Sequence, residues 1–472
     1  MISKHSLLFL LFTVLTAACT LPEPAAITPT TPDAPTRTEN GLQPDTPPAT
    51  GLPLGMPTLI FHNGTLLTMD PDRPGAQAIA IQKDTILAVG SDDEILALAV
   101  ESTRIIDLGG ATMMPGFNDA HSHLLTDSFA GFPDQNAAFA EALRLGYTSI
   151  SELFTDQGRL DNFIARAELG DLPLRVNVYL PLNYAFDRFG DWYRAYIPGH
   201  EYSPFLRIAG VKLYVDNGEY GKKFLSAPYS DNPGYYGEVY WSQDELNAIV
   251  QEAHQAGYQI AAHTMGDAAH DLILNAYEKA LDGEGNEAYH HRIEHVMILR
   301  HDQLERMRAM GIIASVQLSF FHADWRDEFE TTLGPDRVLW VGRWRDLLDA
   351  GVPVIGSTDA PYGYGTVRSP LKAVYQAVTR EGEGEAAPAN WMLSQTLRVE
   401  EALDLLTLQA AYGTFQDPVK GSLSPGKLAD LVILSANPLS IEPRELLNTD
   451  VWLTLVGGQT MYCAQGQEYL CP

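Results

Sequence analysis

The chain has 472 residues, 45% of them hydrophobic, which suffices for a large buried core and for one barrel of about 250 residues with a smaller partner. Its 60 acidic residues outnumber 31 basic ones, for a formal net charge of −29. A field of that sign repels nucleic acid and anionic lipid headgroups, so neither is expected as a partner; it says little about fold.

The first residues read as an export signal. Lys4 supplies a positive start, residues 7–15 form an apolar run too short to span a bilayer as a helix, and small residues follow before Cys19. Leu15-Thr16-Ala17-Ala18-Cys19 resembles a bacterial lipobox, with Thr16 standing where Leu is commoner. The expectation is a leader over 1–18, a lipid on Cys19 and attachment to the extracytoplasmic face of a bacterial cell membrane; a plain cleaved signal peptide is the alternative. Residues 19–57 are crowded with Pro, Thr and Ala and should be an extended, disordered spacer. No later segment is long and apolar enough to span a bilayer.

Short strand-like runs begin at Leu59-Ile60-Phe61 and continue through Ala78-Ile79-Ala80-Ile81 and Ile86-Leu87-Ala88-Val89, with turns between them. From about 113 to 417 the texture changes. Apolar runs (148–150, 174–180, 208–213, 259–261, 312–316 and 352–355) alternate with amphipathic stretches such as 244–256, where Leu246, Ile249, Val250 and Ala253 share a face. Such alternation predicts parallel strands joined by crossover helices. The strand-like texture returns at 430–434, 451–456 and 460–462. The expected organisation is therefore a barrel over 113–417 and one small β unit built from both ends, 58–112 with 418–472. Near the C-terminus, Cys463 and Cys471 match no zinc module in spacing, and an oxidising compartment makes a disulfide the simpler reading.

The chemistry-bearing residues fall at the ends of these runs. His121-Ser122-His123 follows the strand-like 111–117, and two histidines two apart on an extended chain point to one side, where their lone pairs can share a metal. Alone this is a weak signal. Lys212, His263, His295 and Asp359 each lie at the C-terminal end of another apolar run. In a parallel barrel those ends converge on one face, so the five coincidences favour a metal centre. His254, His270, His290, His291, His301 and His322 read as surface or supporting groups.

The segment Met114-Pro115-Gly116-Phe117-Asn118-Asp119-Ala120-His121-Ser122-His123 resembles the metal-binding opening of the amidohydrolase superfamily. Several later segments are similar to amidohydrolase family 3, the YtcJ-like branch that includes N-substituted formamide deformylases. They are Val211-Lys212-Leu213-Tyr214-Val215-Asp216, Ala262-His263-Thr264-Met265-Gly266-Asp267-Ala268, Arg292-Ile293-Glu294-His295, Ser315-Val316-Gln317 and Gly356-Ser357-Thr358-Asp359-Ala360-Pro361. The resemblance implies a distorted (β/α)8 TIM barrel with a composite β-sandwich. It also implies one or two divalent metals, zinc first, held by His121, His123, Lys212, His263, His295 and Asp359, with N6-carboxylation of Lys212 in the two-metal form. Two departures stand out: only residues 124–146 separate His123 from Tyr147, where relatives carry a long insertion, and Asp216-Asn217-Gly218 replaces the usual Asp-Gly.

The implied chemistry is hydrolysis of a non-peptide carbon–nitrogen bond in a small-molecule amide by metal-activated water. Asp359 would touch the metal and carry the water's proton to the leaving amine, while His263 or His295 helps polarise the carbonyl. Asp267, Arg292 and Gln317 are candidates for supporting the ligands or orienting substrate. Two rivals stay open: a mononuclear, deaminase-like hydrolase of a heterocycle, which would leave Lys212 uninvolved, and a binding lipoprotein without catalysis.

Overall fold

Eight parallel strands set the frame in the computed structural model, which describes residues 55–362 and 368–472. They are β1 (Phe117–Ser122), β2 (Tyr147–Glu152), β3 (Arg175–Pro181), β4 (Leu206–Tyr214), β5 (Gln259–Thr264), β6 (Arg292–His295), β7 (Ile313–Gln317) and β8 (Val354–Ser357). Neighbours in sequence are neighbours in the sheet from β1 to β8, every pair parallel. The seam between β8 and β1 is bridged just beyond the strand ends, where Asp359 N–H donates to His121 O (2.8 Å) and His123 N–H to Ala360 O (2.7 Å). The barrel is thus drawn together at the end that carries the candidate ligands.

The crossovers are mostly helical. The helix Gln243–Gln255 starts in a capping box, Ser242 with Glu245, and buries Leu246, Val250 and Ala253 against the sheet, the face read from its periodicity. Between β3 and β4 there is no α-helix. A two-strand hairpin, Asn183–Tyr184 with Asp187–Arg188, precedes a short 3-10 turn and the strand Glu201–Ser203, which pairs antiparallel with β4. This is where the barrel departs from regular (β/α)8 form.

The strand-like stretch 111–117 proves to be two strands. Thr112–Pro115 belongs to a six-stranded sheet with segments from both ends of the chain, and Phe117 onward belongs to the barrel. Gly116 stands at the break, where a Cβ would sit 2.1 Å from Thr148 Cγ2, so only glycine lets the chain cross so close to β2. A second sheet of four strands, from Leu59–His62 to Arg104–Asp107, packs over the first. The six-stranded sheet is apolar on both faces: Met113, Leu431 and Ile433 join the core between the sheets, while Met114, Val432 and Leu434 join the barrel core. The period of two explains this, because alternate side chains serve opposite layers. A buried ion pair, Arg175 to Asp430 at 2.7 Å, ties the start of β3 to this sheet. The sheet layers therefore cover the N-terminal side of β3, and the C-terminal strand ends are left for the site.

Cys463 and Cys471 are joined as a disulfide across 6.2 Å between Cα atoms, closing the last turn of the chain. No described helix is long and apolar enough to cross a membrane. The leader, Cys19 and the spacer up to residue 54 lie outside the described residues.

Candidate metal centre

His121, His123 and Asp359 come together at the β1–β8 seam, with ligand-capable atoms all within 4.8 Å of one another. Asp359 Oδ1 lies 3.2 Å from His121 Nε2 and 3.4 Å from His123 Nε2, and no hydrogen bond of good geometry reaches it. Beneath them Asp119, one alternation before His121 on β1, accepts from Thr358 N–H (3.0 Å) and the Thr358 hydroxyl (2.5 Å). Burial pushes the Asp119 carboxyl up to about 7 against those hydrogen bonds. Asp119 thereby fixes the chain immediately before Asp359, whose own backbone has φ 58°, in the left-handed region that Asp tolerates better than most residues.

The His121 ring is oriented from behind. Its Nδ1 lies 2.6 Å from Glu294 Oε2, and the other Glu294 oxygen lies 2.6 Å from Arg292 Nε. Arg292 also donates to Ala120 O at 2.8 Å and sits over the Tyr179 ring at 4.7 Å. With Nδ1–H donated to Glu294, the Nε2 lone pair is left facing the centre. His295 is treated alike: its Nδ1 lies 2.6 Å from Gln317 Oε1, and the Gln317 amide nitrogen donates to Ser357 Oγ at 3.1 Å.

A regular strand would send Glu294 and His295 to opposite sides. Here φ is 77° at His295 and 46° at Val296, so the strand ends in a left-handed turn. A β-branched residue at positive φ is a backbone outlier costing roughly 1–3 kcal/mol, and its place beside a candidate ligand is typical of functional sites. Glu294 reaches His121 within the strand, and at the turn that follows it the His295 ring lies 5.0 Å from His121 and 4.5 Å from His263, centroid to centroid. His263, at the end of β5, keeps a buried Nε2 without a hydrogen-bond partner.

Lys212, on β4, is fully buried, with Nζ 3.4 Å from His121 Nε2 and 4.9 Å from the Tyr214 ring centroid. Burial pushes its amine down to about 8, against the pull of Glu294 and Asp359. Lys212 is not seen paired with Asp216, whose oxygens accept from Met265 N–H, Gly266 N–H and Phe224 N–H instead. The inserted Asn217 is absorbed locally, its side chain bridging Glu238 and the Glu219 N–H.

This donor set fits a divalent metal. Burial holds His121, His263 and His295 well below the ordinary imidazole value, so they are neutral and each offers a lone pair. Lone pairs converging around an anionic oxygen without a donor of good geometry are a cradle for a cation.

A sequence profile described as the amidohydrolase family matches residues 132–462. The chain belongs to the amidohydrolase family. Among amidohydrolase relatives, YtcJ of Bacillus subtilis is 28% identical over 260 residues, 55% of this chain and 48% of that protein. The N-substituted formamide deformylase of Arthrobacter pascens is 30% identical over 263 residues, 55% of this chain and 46% of that enzyme. These matches span about half the length of the curated relatives. A solved metal-dependent hydrolase from Pyrococcus horikoshii superimposes with a TM-score of 0.71 at 22% identity, covering 82% of this chain and 99% of that one, a likeness in fold.

The structure thus gathers His121, His123, Lys212, His263, His295 and Asp359, with Arg292 and Gln317 behind them. Asp267 is engaged elsewhere. As the first residue of the helix Asp267–Leu281 its carboxylate accepts from Ser226 N–H (3.0 Å) and the Ser226 hydroxyl, and it pairs with Arg300 (3.0 Å). His254, His270, His290, His291 and His322 are buried rather than on the surface, whereas His301 is exposed. His254 and His291 lie 3.0 Å apart, ring nitrogen to ring nitrogen, and His270 bonds Gly266 O.

Glu294 and Asp119 escaped sequence reasoning as site residues. Their signal was present: each lies two positions from a residue already singled out, Arg292 and His121, on the same strand face. Glu294→Gln keeps an acceptor for His121 but removes the charge. It is expected to weaken metal affinity by roughly 10–100-fold with a folded protein by thermal melt. A metal titration giving wild-type affinity would show that Glu294 does not act through His121.

Proposed function

We propose that this amidohydrolase hydrolyses a non-peptide carbon–nitrogen bond, specifically that of an N-acyl or N-formyl amine. The observation that carries the reading is the free Asp359 Oδ1, held between the His121 and His123 rings at the mouth of the barrel. A divalent cation bound there, zinc in our reading, acidifies water and polarises a carbonyl oxygen. His121, His123 and Asp359 would hold it, and His263, His295 and Lys212 would complete the centre. The Asp359 carboxylate, ionised and without a competing donor, takes the water's proton and returns it to the departing amine nitrogen. Glu294 and Gln317 keep the two imidazoles turned inward throughout. The N-substituted formamide deformylase among the relatives cleaves a bond of this class by its name, which supports the reading.

The test is amine release by purified, metal-loaded protein from a panel of N-acyl and N-formyl amines, beside matched esters and amino-heterocycles. Amine release that disappears on verified removal of metal supports the proposal. Ammonia release from heterocycles alone, or undiminished activity after chelation, defeats it.

We further propose that the enzyme is exported and tethered through a lipid on Cys19, the reading that its leader supports. Cys19→Ala should leave the protein soluble or its leader uncleaved, checked by membrane fractionation. A mature N-terminus elsewhere, without diacylglycerol by mass spectrometry, would refute the anchor.

A further inference from the structure

The N-terminal end of the barrel, opposite the metal centre, carries a second cluster of buried charge. Arg175 opens β3 beside Ser149 of β2, and Asn177 of β3 lies beside Arg207 of β4, so the register sets all four side chains on one face. Lys420 reaches in from the C-terminal part of the chain. It is 2% exposed, and its Nζ donates to Ser149 Oγ at 2.5 Å. Asn177 Nδ2 donates to the same oxygen at 3.4 Å. Arg207 Nη1 donates to Thr414 O at 2.5 Å, while its buried Nε has no hydrogen-bond partner.

Charge does not balance in this cluster. Asp430 supplies its carboxylate, and both oxygens are taken: they accept from Arg175 Nε (2.7 Å) and Nη2 (3.0 Å) and from Gly457 N–H (2.7 Å). Among the described residues no carboxylate pairs with Lys420 or Arg207. Burial and the two guanidiniums push the Lys420 amine down to about 7, against the pull of Asp430. Cations withdrawn from water without a counter-charge are costly, and a bound anion removes the cost. There is room for one. A small cavity is lined by Arg175, Asn177, Ser203, Arg207 and Gln416, and it offers about 20 Å³, enough for a single small ion and not for a substrate. Glu201 also lines it but is exposed, where solvent screens its charge.

We propose that this cavity binds a small monovalent anion of chloride size, held by Arg207 Nε and Asn177 Nδ2 with the Lys420 ammonium behind them. The site is separate from the metal centre and stands independently of the hydrolase reading. The experiment melts the metal-loaded protein at about pH 6, where the amine is charged, with chloride replacing gluconate at constant ionic strength. Gluconate is too large for the cavity. The melting temperature should rise by on the order of 2–4 °C and saturate. Arg207→Gln and Lys420→Met should each raise the half-saturating chloride concentration by on the order of tenfold. Arg207 is partly exposed and Met keeps the length of the lysine stem, so both changes spare the packing. Crystals soaked in bromide locate the ion: an anomalous peak in the cavity is expected in the wild type and lost in Arg207→Gln.

A melting temperature indifferent to chloride, or a chloride dependence that both variants keep, overturns the site and leaves Lys420 a neutral buried amine. Bromide found only at the metal centre or on the surface overturns it too. Should Lys420→Met fail to fold, Arg207→Gln decides by the same two measurements.

Discussion

Asp359→Asn is expected to lower turnover by roughly 10²–10⁴-fold while leaving the fold intact. The substitution preserves size, and Asn accepts the left-handed φ of 58° as readily as Asp does. It removes the charge that lets Oδ1 take a proton, and it places a neutral amide where His121 Nε2 and His123 Nε2 converge at 3.2 and 3.4 Å. Two effects must then be separated, because the same oxygen that moves the proton also faces the cation. Elemental analysis of the variant does so. Metal content near that of the wild type with turnover reduced a hundredfold or more assigns Asp359 to proton transfer. Metal lost in proportion to activity assigns it to ligation alone, and near-normal turnover at saturating substrate removes it from both roles.

Much of this site is legible in the sequence because strand ends are legible. Lys212, His263, His295 and Asp359 each close an apolar run, and parallel strands in a barrel carry such ends to one face. What escapes is whatever depends on local backbone exceptions. Alternation along Arg292-Ile293-Glu294-His295 predicts that only one of the last two residues faces the centre. The positive φ at His295 and Val296 breaks that rule: Glu294 reaches His121 and the His295 ring still packs beside His121 and His263. No periodicity announces such a turn. Gly116 is a similar case: a continuous apolar stretch from 111 to 117 hides a change of sheet made possible by the absence of one Cβ. Asp267 errs in the other direction. It stands four residues after His263, yet a helix begins at it and turns its carboxylate towards Ser226 and Arg300. The off-site histidines carry no sequence signal of burial, yet His291 accepts from Ile260 N–H at 3.1 Å and is satisfied inside.

Lys212→Ala is expected to reduce bound metal from two ions per chain towards one and to lower turnover steeply. The argument starts from where the amine sits. An ammonium has no lone pair and cannot ligate. Yet Lys212 is wholly buried, 3.4 Å from the inward nitrogen of His121, with the Asp216 carboxylate already engaged by three backbone donors. An unmodified lysine there sets a positive charge beside a cation site, which is electrostatically costly. Addition of carbon dioxide to the neutral amine forms a nitrogen–carbon bond, releases one proton and converts the group to an anionic carbamate with two oxygens. Grown from an amine 3.4 Å from His121 Nε2, such a group would add anionic oxygens to the centre and would let it hold a second ion. Reconstitution with metal should therefore bind two ions in the presence of bicarbonate and fewer in its absence. In Lys212→Ala, short-chain carboxylic acids should restore part of the second ion and part of the turnover, since they supply the missing oxygens without the tether. A single ion regardless of bicarbonate, unchanged by Lys212→Ala, with no carbamate carbon detected by NMR after labelled bicarbonate, would leave Lys212 an ordinary cation and the centre mononuclear.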